Sequence, residues 1–542
     1  MVFPALLLIF AISSISIPFV YLTGKKSPKA AAIFVALIAL VNMGLVASTI
    51  PTVLDSASGN KWVEQYNWMP TLGTNTGGTQ FTLFVDGMSV SIALISLVLI
   101  FVASIYSVNY MAGKKNLPVY YALLCMLSVG LIGVFLTSNL ILFYFCWELM
   151  LVPAYFIVGE WGYRNSYKSA LKLFIFTHAG AVFVLLGIGA IYWLTGTTDM
   201  FGAQAQLLTA APDLIKWILI ALTAGFAVKM AVFPVHMWLP DAHSEAPAPM
   251  SALLSGVIIS AGAYAILRLS FGVVFPAVGE AFGTSFLYTL SIVAVVTAFF
   301  GSFLAMFATD IKRVIAYSSI SHMGYIMFGI SLFPVSVAGG TVVVLASSIA
   351  ITGTILHIIT HAASKGLFFL TAGGVMHQTE ERDIRKMGGL ASKMPFSTVS
   401  GMIAALSIAG APPLACFVSE FFIFMGAFQV INGNLNSFYV LPTAFMLAAT
   451  VFSLAYSLRF ISKVFLGTAP GEIVEDAHSS HVSAAHATEK HPVEHGHKIV
   501  DVPNYMKVAL AILVILVVII GIYPTFFMDL IQTVTFGGAV IV

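Results

Sequence analysis

The chain has 542 residues, of which 59% are hydrophobic and only 8% charged, with a mean hydropathy of +0.98; this excludes a soluble globular protein and reads as a polytopic membrane protein. A formal net charge of +2 implies no acidic partner, and there is no phosphate loop, GxGxxG fingerprint or nucleic-acid motif, so nucleic acid is excluded as a partner. Cys125, Cys146 and Cys416 stand far apart in apolar runs, form no CxxC pair, iron–sulfur ligand set or disulfide framework, and read as small core residues. Any redox or nucleotide chemistry therefore belongs to another subunit.

At roughly 20 apolar residues per span, fourteen candidate spans follow one another: 2–22, 31–50, 83–110, 118–137, 139–158, 170–195, 214–239, 248–268, 285–307, 312–332, 340–374, 396–429, 439–464 and 505–531. The first carries its positive charges behind it, at Lys25, Lys26 and Lys29, whereas a cleavable signal peptide carries them in front, so it reads as retained with the N-terminus outside. Most Lys and Arg then fall on the inner side, among them Lys114, Lys115, Arg164, Lys168, Lys312, Arg313, Arg382, Arg385, Lys386 and Lys393. Lys61, Lys216 and Arg268 are expected outside, and Lys229 and Lys365 lie within spans.

Two polar pieces interrupt the pattern. Residues 51–81 are turn-rich around Gly73 to Gly78, and 466–503 hold six of the 13 histidines, His478, His481, His486, His491, His495 and His497. That second segment is acidic and lacks helical register, so solvation or adventitious metal binding is expected of it.

Ionisable groups inside spans are few: Glu148, His178, Lys229, His236, His322, His357, His361, Lys365 and Glu420. Each is a functional-site hypothesis, because a charge at mid-bilayer is costly and normally faces protein or water. Glu148 lies midway along the fifth span, and the nearest economical partner for it is Lys229, a pair whose proton affinities would depend on each other. Lys229 precedes Pro234, His236 and Pro240, two helix-breakers beside a buried cation.

His322 follows the hydroxyls of Tyr317, Ser318, Ser319 and Ser321, a setting for water and proton relay. His357, His361 and Lys365 are spaced four apart, which places three titratable groups on one helix face. Zinc is not expected there: Ile358, Ile359 and Thr360 supply no glutamate and no third ligand is evident.

Glu420 follows Pro412 and Pro413, a second broken span with a buried charge. Breaks in spans seven and twelve, five spans apart, are the mark of an inverted repeat: spans 4–8 and 9–13, each of five helices, with Glu148 and His322 as counterparts. The expected organisation is three N-terminal helices in 1–117, a first repeat in 118–268, an inverted second repeat in 285–465, the polar His-rich loop 466–504 and a last helix in 505–542.

Several stretches, taken together, resemble the antiporter-like membrane subunits of complex I. They are Phe84–Ser89 with Asp86 and Gly87, Trp147–Glu148, Lys229 through Trp238, Pro240, Asp241, His243, Glu245 and Pro247, then Lys312–Ser319 and Ser321–Gly324. The match covers roughly 80–465 and is closest to the M (chain 4) type, which includes plastoquinone and archaeal relatives. Glu420 stands where L-type and N-type subunits usually carry lysine, and the chain stops soon after span fourteen, without the long lateral helix of an L-type subunit.

The resemblance implies a proton-translocating role coupled to quinone reduction elsewhere, with Glu148 and Lys229 on the input side, His322, His361 and Lys365 along a central axis, and Glu420 at the output. It also implies a non-redox subunit without cofactor of its own, NADH, flavin, iron–sulfur clusters and quinone residing on partners. L-type and N-type neighbours and a bacterial or archaeal plasma membrane, or a thylakoid or mitochondrial inner one, are expected with it. Relatives commonly carry a lysine in span eight where this chain has Ser260, so Lys365 is expected to supply the central cation. The alternatives are a subunit of a multi-subunit Na+/H+ antiporter or membrane-bound hydrogenase, and, from another class, a scaffold, against which the buried charges in both repeats argue.

Overall fold

A computed structural model describes residues 4–56, 59–69, 79–209, 212–333, 337–338, 341–342, 348–434, 437–467, 499–536 and 539–540. The Gly73–Gly78 turn and the six loop histidines lie outside them. The protein is all-α and polytopic: among the described residues, twelve helices are long and apolar enough to cross a membrane. The fourteen expected spans also include 214–239 and 312–332. These are helical too, but Pro212–Met230 carries Asp213, Lys216 and Lys229, and Ile311–Ser331 is lined with serines around His322.

Large apolar side chains such as Phe145, Phe156, Trp193, Trp217, Phe303 and Phe307 are exposed. Such residues are at home against lipid, which is as apolar as a protein core. Polar side chains turn inward instead.

The polar piece before the third span folds as an antiparallel hairpin, Trp62–Met69 with Thr79–Val85. Its alternation of β-branched and aromatic residues explains why the span expected from 83 begins instead at Gly87. Asp86 starts that helix by accepting from the Ser89 amide at 2.9 Å. Glu64 of the hairpin accepts from the Leu6 and Leu7 amides (2.9 and 3.0 Å) and so caps the first helix with a carboxylate at its positive end.

Arg268 corrects the expectation that it lies in an outer loop. The helix begun at Ala248 continues through π-helical turns, Leu254–Ile258 and Ile266–Val274, and keeps the guanidinium inside. The physical reason is a counter-ion: Arg268 Nη2 donates to Asp86 Oδ1 at 2.6 Å, with both side chains 5% exposed. The paired charge no longer ends the span.

On the face expected to be the inner one, Arg382 ties three connections together. It donates to Asp310 (2.8 Å), the Ser244 carbonyl (2.9 Å) and Glu245 (3.4 Å), while Glu245 accepts from the Asn165 amide at 3.1 Å. Beside it, bonds from Arg385 hold the Asp383 carboxyl down to about 2, so that carboxylate is charged at neutral pH.

The element that orders the rest is Ser348–Thr379, a 32-residue helix whose membrane-length stretch is entirely buried. It packs against both halves of the second broken span and against the helix begun at Ala248, so its polar face becomes an interior surface.

Candidate functional site

Both breaks arise where proline removes a backbone donor. In the first, Pro212–Met230 ends at Ala231, which has φ of 58°, and the chain restarts as Leu239–Glu245. Carbonyls and amides freed there are met by side chains: Trp238 Nε1 donates to Val228 O (2.9 Å) and Phe233 N to Thr297 Oγ1 (3.2 Å). In the second, Pro395–Ile408 ends at Gly410 with φ of 67°, and Ala415–Asn434 follows.

Lys229 is buried, 3% exposed, and donates to the Trp147 carbonyl at 3.0 Å with its ammonium 4.0 Å above the Trp147 ring. The expected Glu148–Lys229 ion pair is not formed. Glu148 turns instead to His178, Oε2 to Nδ1 at 3.1 Å, on a face where the two side chains are 27% and 50% exposed. Trp147 and Glu148 are neighbours on one helix and so point about 100° apart around its axis. Trp147, inward, meets Lys229; Glu148, outward, meets His178. The two acidic and basic groups remain within electrostatic reach of each other.

His236 sits in the break, stacked on Phe233 at 5.6 Å with its Nδ1 unbonded. It joins the first break and not the central cluster.

The cluster is built on Ser348–Thr379. His357, His361 and Lys365 do lie on one face and are fully buried. Lys365 donates to Ser318 Oγ and to the Ile315 carbonyl (3.3 Å). No carboxylate lies within ion-pair distance of Lys229, Lys312 or Lys365 among the described residues, and their direct contacts are carbonyls, a hydroxyl and aromatic rings. Ser260 spends its proton on the Gly256 carbonyl (2.9 Å), whereas Ser255, one turn earlier, meets Ser319 at 2.8 Å. Gly262, two residues past Ser260, lies against the first break: a Cβ there would stand 2.9 Å from both the Phe226 carbonyl and the Met230 amide. Span eight thus touches the Lys229 turn at one point and the Lys365 cluster at another.

The histidines form a directed series. Ser419 Oγ donates to the Cys416 carbonyl (3.0 Å), and in that arrangement it accepts from His357 Nδ1–H (2.8 Å). His357 Nε2 is then an acceptor for His322 Nδ1–H at 3.1 Å, and His322 Nε2 accepts from the Tyr456 hydroxyl at 3.5 Å. Glu420 Oε1 stands 3.8 Å from His322 Nδ1. An imidazole takes a proton on one nitrogen and releases one from the other, so two in series are a proton relay.

Glu420 also lines a groove of about 450 Å³ between Ala415–Asn434 and Ser437–Val464, with Gly410, Phe421, Phe424 and Leu454. A second cavity, of about 650 Å³, opens at the Arg382 end of the helices, among Lys114, Tyr163, Arg164, His377 and Arg382. Behind it the Tyr110 and Tyr163 hydroxyls meet at 2.5 Å, and Lys312 lies 5.5 Å over the Tyr163 ring while donating to Ala246 O at 2.5 Å.

His243 is the residue that sequence reasoning missed. It is fully buried, stacks on Phe369 at 4.9 Å, and neither of its ring nitrogens, nor those of His361, bonds to a described protein atom. The charges of Lys312 and Lys365 both reach it. The signal was present, since a histidine flanked by Asp241 and Glu245 just after a helix break is out of place in a loop that only reconnects spans.

The family described as NADH:quinone oxidoreductase/Mrp antiporter, TM, matches residues 137–446. NADH-quinone oxidoreductase subunit M of Rickettsia conorii is 32% identical, the match covering 84% of this chain and 86% of the relative. F(420)H(2) dehydrogenase subunit M of Methanosarcina mazei is 31% identical over 82% of this chain and 84% of its own. Among solved structures, a chain of the archaeal membrane-bound sulfane sulfur reductase superposes with a TM-score of 0.77 at 25% identity, covering 98% of this chain and 79% of the other.

Proposed function

Because the chain belongs to the NADH:quinone oxidoreductase/Mrp antiporter transmembrane family, with M-type subunits at 31–32% identity, we propose that it is a proton-translocating membrane-arm subunit of a complex I-like quinone oxidoreductase. It is a non-redox subunit: NADH or another donor, flavin, iron–sulfur clusters and quinone are handled by partner chains. Its neighbours are other antiporter-like subunits of L and N type, in a bacterial or archaeal plasma membrane.

The observation that carries the reading is the buried polar series on Ser348–Thr379. From the inner cavity it runs through Tyr163, Lys312 and His243 to Lys365 and His361, and on through His357 and His322 to Glu420. Lys229, with Glu148 and His178, is the input-side element that neighbouring subunits bias. In this route Lys365 supplies the cation that relatives carry in span eight, and Ser255 with Ser319 connects that span to it. His236 serves the flexibility of the first break.

Two inverted five-helix units, 118–268 and 285–465, account for the layout. Support comes from paired contacts at matching positions: Glu148 with His178 joins spans five and six, and His322 with His357 joins spans ten and eleven. Span seven ends at a break after Lys229, and span twelve resumes after one before Glu420.

Purifying the tagged chain from its native membrane and identifying what comes with it tests the reading. Flavin and iron–sulfur proteins are expected to co-purify. Recovery of small antiporter chains alone would replace this proposal with the Na+/H+ antiporter reading.

A further inference from the structure

The sequence offered no third ligand to accompany His357, and its spacing partner His361 points elsewhere in the cluster. The fold supplies two others. A His322 nitrogen, a His357 nitrogen and a Glu420 oxygen all lie within 4.8 Å of one another, and all three residues are buried. His322 Nδ1 is 3.1 Å from His357 Nε2 and 3.8 Å from Glu420 Oε1. Ligands on a tetrahedral Zn2+ at about 2.0–2.1 Å stand roughly 3.3 Å apart, so the two nitrogens already have a suitable separation and the Glu420 carboxylate must move closer to complete the set.

We propose that His322, His357 and Glu420 bind a single divalent transition cation, of which Zn2+ is the type, and that the ion occupies the place of the proton shared by the two histidines. Surrounding groups favour it. Ser419 holds His357 Nδ1–H at 2.8 Å, which fixes the ring with Nε2 as a lone pair toward the site. Metal-bound histidines ordinarily have their second nitrogen held in this way. Tyr456 holds the far nitrogen of His322 at 3.5 Å. Two imidazoles and a carboxylate suit zinc rather than calcium or magnesium, which prefer all-oxygen shells. Glu420 also lines the groove of about 450 Å³, which leaves its carboxylate room to turn.

Binding releases no proton from the ring: the His322 proton shifts from Nδ1 to Nε2, the metal takes the Nδ1 lone pair, Nε2–H then donates to the Tyr456 oxygen, and the Tyr456 hydroxyl donates to Ser453, 3.3 Å away. With the ion in place no proton passes from His322 to His357, so bound metal inhibits translocation. That consequence rests on the proton-transfer reading; the binding does not.

The test uses the full chain with the six loop histidines, His478, His481, His486, His491, His495 and His497, changed to serine, since these would bind metal themselves. After chelator treatment it is titrated with Co2+ alone and the visible absorption recorded. One equivalent is expected, with the intense bands of low-coordinate cobalt, and at least tenfold weaker binding in both His357→Gln and Glu420→Gln. Undiminished binding in either variant overturns the site. X-ray absorption of the Zn2+-loaded protein without further substitution decides independently of how the variants fold: two imidazoles with oxygen support the site, and an all-oxygen shell overturns it. In proteoliposomes holding the whole complex, Zn2+ is expected to slow proton uptake. Confirmed binding without inhibition would support the site and count against the proton route through His322 and His357.

Discussion

Lys365→Ala is expected to lower quinone-driven proton uptake by about tenfold or more in an assembled complex, the scale lost when a positioned proton carrier is removed. Lys365 is fully buried and, among the described residues, bonded only to Ser318 and the Ile315 carbonyl. Eight residues and about 12 Å of helix separate it from His357, with His361 as the only titratable group between them on that face. Ser260 bonds its own helix and offers no replacement. Lys365→Arg separates a relay from a static charge. Arginine keeps its proton at any accessible pH, so a relay fails in this variant too, whereas a charge needed only for helix assembly would survive. Proton uptake by inverted vesicles, with assembly checked on native gels, reads both variants. Wild-type uptake with either would sink the role assigned to Lys365.

The second large effect is structural. Arg268→Ala leaves Asp86 buried without its cation, and breaking a buried pair from one side costs about 3–5 kcal/mol. The pair anchors the start of Gly87–Tyr110 to the π-helical end of span eight, with Ser89 Oγ also 3.3 Å from the guanidinium. The variant should show a marked drop in thermal midpoint in detergent and poor assembly. Removing both charges, Asp86→Leu with Arg268→Leu, should recover most of the loss, because no lone charge then remains. Equal midpoints for wild type and the single variant would contradict this account.

Hydropathy and proline positions made the membrane class, the order of spans and both broken helices readable, since lipid allows so few solutions for a backbone. The four-residue spacing of His357, His361 and Lys365 placed them on one face because helical geometry is local. What pairs across helices was less readable. Glu148 matched Lys229 on charge alone, yet its neighbour Trp147 is the residue that meets the lysine and Glu148 itself meets His178. Arg268 looked like a loop charge until Asp86, 182 positions away, supplied its partner. His322 was visible as a relay candidate, but its bond to His357 and its approach to Glu420 depend on how three helices dock, which no periodicity encodes.

The account holds that this chain carries protons along a buried series that ends at Glu420, rather than only holding the membrane arm together. The direct test is the number of protons moved per electron by the purified complex in proteoliposomes, compared between wild type and Glu420→Gln. A lower ratio in the variant, with quinone reduction still measurable after an uncoupler is added, is the predicted result. An unchanged ratio in a fully assembled Glu420→Gln complex would contradict it.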